Sequence, residues 1–212
     1  MKTRPQRFLA LAQLANSVGD GAFYVTSALY FTRVAGLDTA RVGLGLTLAW
    51  AVGSLVGVVL GRLADRRGAR GTAVLLALGT GSAVGSFLLV RGFVPFVLAA
   101  CAYACAQSGL AAARQALLAG LVPAGERTGM LARLQSTLNG GLAIGAAAGG
   151  LALNAGTAAA YRAVFALDAV CFLVCALILL RLPAVAPAVE PAAAVEEQRE
   201  RPAVVEAVSY TH

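Results

Sequence analysis

The sequence predicts an all-α integral membrane protein built from six spanning helices. Three observations predict it. Of 212 residues, 59% are hydrophobic and only 13% are charged, about half the charged share of an ordinary soluble domain. The few charges fall between long apolar runs, and each run has roughly the 20 residues a helix needs to cross a bilayer. Small residues dominate, with 24 Gly and still more Ala, and they let helix backbones approach closely in lipid.

The runs are read between charges. They cover 8–32, 42–61, 71–90, 92–113, 134–161 and 163–180, and each is long enough to be a spanning helix. The first holds one charge, Asp20, and the last holds one, Asp168. Barrel strands would need alternating apolar and polar residues, which are missing. The net charge of +7 does not point to nucleic acid, because the basic residues lie between apolar runs rather than in one patch. The first run lacks a cleavage pattern and is long enough to span. With the N-terminus inside, eleven Lys and Arg fall on the inner side and four on the outer. That bias predicts cytoplasmic termini. From 183 onward the chain is rich in Pro and Glu and reads as a disordered cytoplasmic tail or linker (183–212) after a six-helix unit (1–182).

Polar residues mark a candidate cavity. Gln13, Asn16, Asp20, Tyr24 and Ser27 recur every three or four residues in the first span, which places them on one helical face. Tyr103 and Gln107 lie four apart in the fourth span. Polar groups are costly against lipid, so these faces are expected to meet protein or water. Asp20 lies about 18 Å in from Phe8 at 1.5 Å per residue, near the bilayer midplane. A carboxylate there costs about 2.5–3.5 kcal/mol on insertion scales, so a proton or a cationic ligand is its natural partner. A structural carboxylate bonded within the bundle is the alternative. Asp168 is expected nearer the outer face, as an interfacial carboxylate or one paired with Arg162. Arg114 is expected to snorkel from the inner end of the fourth span.

Cys101 with Cys105 and Cys171 with Cys175 are each four apart, and read as small packing residues, since no His or further Cys completes a metal site. The one His, His212, ends the chain. No nucleotide loop, nucleophile–base set or metal cluster is present, so neither enzyme activity nor a cofactor is expected.

The segment Gly61–Arg70, GRLADRRGAR, lies between the second and third spans. It resembles the signature loop of the major facilitator superfamily through Gly61, Leu63, Asp65, Arg66, Gly68 and Arg70. Ala69 departs, where the family often has a basic residue. The resemblance implies a gating latch on the cytoplasmic side, with Asp65 accepting hydrogen bonds from Arg66 or Arg70. Arg114, Pro123, Glu126 and Arg127 resemble the family's loop between helices 4 and 5. Gly140–Gly150 partly resembles the fifth-helix motif of family exporters, through Gly141, Gly145, Gly149 and Gly150, but Ala146 stands where the family has Pro. Gly53, Gly57 and Gly61 on the second span mirror Gly141, Gly145 and Gly149 on the fifth, as two inverted three-helix repeats would. The resemblance implies that both glycine ridges face another six-helix half, and that helices 1 and 4 line a cavity.

By resemblance, the chain is the N-terminal half of a transporter working by alternating access, most readily a proton-coupled exporter of small organic molecules in the plasma membrane. An uptake symporter, a half-size transporter acting as a homodimer and a non-transporting membrane interaction protein remain open. Its implied partners are the bilayer, a C-terminal half or second copy, a small-molecule substrate and protons. Val208–His212, VSYTH, looks like a translated transposon-end adapter, which would make those five residues artefactual and the chain a fragment.

Overall fold

A computed structural model describes residues 4–184, which form six helices. The expectations for 208–212, for His212 and for most of the tail lie outside the described residues. The helices are α1 (Arg4–Leu29), α2 (Thr39–Arg67), α3 (Ala69–Phe87), α4 (Phe93–Leu121), α5 (Arg127–Ala155) and α6 (Ala158–Leu180). A π-helical turn, Tyr30–Val34, extends α1, and a 3-10 turn, Ala124–Glu126, precedes α5. There is no strand among the described residues.

Four helices are long and apolar enough to cross a membrane on their own: α2, α4, α5 with its preceding turn, and α6. The other two are long enough but less apolar. The polar stripe dilutes α1, and Arg70 with several Thr, Ser and Gly dilutes α3.

Several helix ends differ from the charge-bracketed runs. Arginine favours helix, so a charge need not end one. Thus α2 runs through Arg62 to Arg67, and α4 runs through Arg114 to Leu121. The joints after α1, α2, α3 and α5 each hold a glycine with positive φ, while α4 ends at Val122 and Pro123. Gly156 adopts φ 64° and ends α5 six residues before the expected boundary at 161. Thr157 then caps α6, its Oγ1 accepting from the Ala160 N–H at 3.2 Å, so Tyr161 and Arg162 belong to α6. Likewise, most of the Gly61–Arg70 segment is the end of α2 and not a loop. The single break is Gly68, at φ 98°, a conformation that side-chain-bearing residues rarely adopt.

The packing carries an internal two-fold. The packed pairs are α1–α5, α2–α4, α1–α6, α3–α4, α3–α6, α2–α3, α5–α6 and, lightly, α1–α4. Exchanging α1 with α4, α2 with α5 and α3 with α6 leaves this set unchanged. Each exchanged helix runs in the opposite sense, so the two triplets are inverted repeats.

Both glycine ridges turn inward, and this corrects the expectation that they face another half. A side chain at Gly53 would lie 2.7 Å from the Ala104 carbonyl carbon, and one at Gly57 would lie 2.7 Å from the Ser108 Cβ. On α5, Gly141, Gly145 and Gly149 lie against Ser17, Val18 and Ala22 of α1. Helix pairing in lipid gains from close backbone approach, and these seams supply it within the bundle.

At the end of the bundle away from the arginine-rich joints, aromatic rings form a core. Phe31, Phe87, Phe96 and Phe165 are fully buried, with Phe23, Tyr30 and Tyr103 around them. Tyr30 donates its hydroxyl to the Phe87 carbonyl at 3.2 Å, joining α1's extension to α3.

Candidate functional site

The stripe on α1 and a matching comb on α4 meet across a cavity. On α1 the spacing of Gln13, Asn16, Asp20 and Tyr24 keeps all four on one face. On α4 the same periodicity aligns Tyr103, Gln107 and Arg114. The cavity has a volume of about 420 Å³, in the range of small-molecule sites, and α1, α2, α4 and α5 all contribute to its wall.

Asp20 is 4% exposed, and all its partners are neutral. Asn16 Nδ2 donates to Oδ2 at 2.6 Å. Gln107 Nε2 reaches both carboxylate oxygens at 3.2 Å, and the Tyr103 hydroxyl reaches Oδ1 at a long 3.5 Å. Hydrogen bonds to a charged group contribute about 1.5–3 kcal/mol each, enough together to offset the cost of placing a carboxylate at this depth.

The structure thus brings Gln13, Asn16, Asp20, Tyr103 and Gln107 into one network, with Tyr24 on the cavity wall. Ser27 is half-buried and does not line the cavity.

Arg114 departs from the snorkelling expectation. Its Nη1 donates to Gln13 Oε1 at 3.2 Å, and its Nη2 to Asn16 Oδ1 at 2.8 Å and to Cys175 Sγ at 3.7 Å. The side chain points into the bundle, so a cation does occupy α4 at cavity level. Its position seven residues after Gln107 places it on the same helical face, a signal legible in the sequence. Trp50 on α2 also lines the cavity, edge-on to Tyr103 at 6.4 Å between ring centroids. Gln115 of α4 and Gln135 of α5 add polar wall, and nothing in the sequence pattern singled them out.

Asp168 likewise departs from its expected pairing with Arg162. It is fully buried, and neither carboxylate oxygen has a hydrogen-bond partner. It faces α1 at Gly19, where any side chain would collide with it. The six-residue separation of Arg162 and Asp168 turns them to different sides of α6, and Arg162 is exposed. Among the described residues no group of three or more His, Cys, Asp or Glu is placed to hold a metal ion.

The signature-loop residues lie outside this cavity. Asp65 and Arg66 are exposed, Leu63 is half-buried, and Gly68 forms the break between α2 and α3. The expected bonds from Arg66 or Arg70 to Asp65 are not formed. Arg70 Nη1 donates instead to the Leu182 carbonyl at 2.9 Å, tying the start of α3 to the end of α6. In the joint between α4 and α5, Arg127 Nε donates to the Val122 carbonyl at 3.1 Å and its Nη2 to the Ala119 carbonyl at 2.6 Å, satisfying the C-terminal turn of α4. Glu126 accepts from Gln6 Nε2 at 3.0 Å and links that joint to α1.

No curated protein matches the chain in sequence. Residues 9–210 match the Major Facilitator Superfamily, over a region holding the inverted repeats and the cavity. By that match, the chain belongs to the major facilitator superfamily, a family of multi-pass membrane transporters.

Proposed function

We propose that the cavity is one half of a substrate pathway for small organic solutes, and that Asp20 exchanges a proton as the solute is exported. The observation that carries this reading is Asp20 itself. Among the described residues it is the one carboxylate in the cavity wall, it is held by neutral donors, and no ion pair fixes its charge. A group so held can gain or lose a proton without breaking a salt bridge. Trp50 and Tyr24 add aromatic wall, which suits flat organic molecules.

Alternating access supplies the transport step. The aromatic core closes the bundle at one end, while the cavity extends toward the arginine-rich joints, down to Leu131 and Leu134 of α5. A second six-helix body, as a further half or a second copy of the chain, closes the cavity's open side. The Gly61–Arg70 segment then contacts that body at the inner face and biases which side is open. The bias of Lys and Arg toward one side supports cytoplasmic termini and export across the plasma membrane.

The test is flux of ethidium from proteoliposomes holding the chain under an imposed pH gradient, with and without Asp20→Asn. The expected result is gradient-driven flux that the variant lowers by about a hundredfold or more, the scale of one lost proton-transfer group. Flux that ignores both the gradient and the substitution overturns the proton reading. Uptake driven by an inward proton gradient replaces export with symport.

A further inference from the structure

We propose that Asn16 is a positioning residue that ties the charge on Asp20 to the placement of Arg114. This rests on the reading of Asp20 as a proton-exchanging group. The geometry is specific. Asn16 is 2% exposed, and both ends of its amide are engaged. Its Nδ2 donates to Asp20 at 2.6 Å, and its Oδ1 accepts from Arg114 at 2.8 Å. Among the described residues no other side chain is hydrogen-bonded to both. Gln107 and Tyr103 reach only Asp20, and Gln13 and Cys175 reach only Arg114. Asp20 and Arg114 form no direct ion pair, so the amide is the bonded route between them.

The chemistry fixes how the amide sits. A carboxylate only accepts and a guanidinium only donates, so the NH2 must face Asp20 and the oxygen must face Arg114. Such a chain polarises along its length, and each bond strengthens the other. When Asp20 takes a proton, its pull on the Asn16 N–H weakens. The amide oxygen then becomes a poorer acceptor, and Arg114 is left to Gln13 and Cys175. Charge at the midplane is thereby felt at a cation nearer the arginine-rich end.

Other groups face Asp20 and bear on its titration. On α1 there is Tyr24, and on α4 there are Tyr103 and Arg114. On α6, Asp168 and Cys171 lie across the neighbouring Gly19, with Cys175 beyond. The cavity residues on α2 and α5, Trp50 and Gln135, do not titrate near neutral pH. The test must therefore separate Asn16 from this background.

The experiment is an infrared pH titration of the whole chain in lipid nanodiscs, following the carboxyl C=O band that Asp20→Asn removes. In the native background, Arg114→Met is expected to move the midpoint by about one pH unit. With Asn16→Leu, the same replacement is expected to move it by no more than about a third as much, as a coupled pair requires. With Gln107→Leu, which removes another donor to Asp20 but leaves the amide bridge, the full movement should remain. Asn16→Ser serves in place of Asn16→Leu if the latter does not fold. An equal movement with and without Asn16, or none in the native background, overturns the proposal. The absence of any Asp20 band that responds to pH is a separate failure, and it removes the proton reading itself.

Discussion

Asp168 and Asp20 show how two carboxyl groups at similar depth meet different fates. Asp20 faces α4 and a cavity, where three side chains donate to it. Asp168 faces a glycine and receives no hydrogen bond. A buried carboxyl that lacks both a partner and a counter-charge contributes little to stability, so Asp168→Asn is expected to leave thermal melting in detergent unchanged or slightly raised. A marked loss of melting temperature would show that its charge is needed. Arg162→Ala should likewise leave the melting temperature unchanged, since the two residues do not meet. The sequence revealed Asp20 and its stripe because 3.6-residue periodicity projects directly onto a face. It did not reveal the surroundings of Asp168, because the residue across from it, Gly19, has no side chain to signal a contact.

At the scale of the helix, glycines set both the joints and the seams. Gly68 holds φ 98° between α2 and α3, so Gly68→Ala is expected to cost about 1–3 kcal/mol through backbone strain. That loss is readable as a lower melting temperature. Gly53→Val and Gly145→Val should each cost about 1–3 kcal/mol or more by forcing a packed seam apart. Gly140→Ala and Gly43→Ala meet open space and should be tolerated. A thermal shift assay across these variants separates the two classes, and equal behaviour would contradict the seams described above. The spacing of four made both ridges legible in the sequence. Periodicity names a face but not its partner, so the sequence alone does not show that the ridges pack on α4 and α1. Helix ends differ from the arginine-bracketed runs for a related reason: arginine continues a helix, whereas Gly156 and Gly68 end α5 and α2.

Over the whole molecule, the number of helices, their inversion and the cavity-lining pair followed from composition, charge spacing and family resemblance. The aromatic core did not, because Phe23, Phe31, Phe87, Phe96 and Phe165 come from four separate helices and share no local pattern. Removing its centre by Phe165→Ala is expected to cost about 3–5 kcal/mol, since the ring is fully buried among other rings. Unfolding of the chain in detergent, followed by the fluorescence of its single tryptophan, Trp50, gives the measurement. A loss well below that range would mean that the surrounding rings collapse into the space.

The glycine seams also have a mechanical meaning. A layer of long side chains between two helices can shear, because rotamers slide and refill the gap. Where backbone rests on backbone, as at Gly53 on Ala104 and Gly145 on Val18, there is no such layer. The paired helices then behave like bonded plies, stiff against sliding and able only to tilt together. Motion that reshapes the cavity is therefore expected at the margins of the six-helix body rather than within its seams. The smallest residues in the chain are the ones that make it act as a single lever.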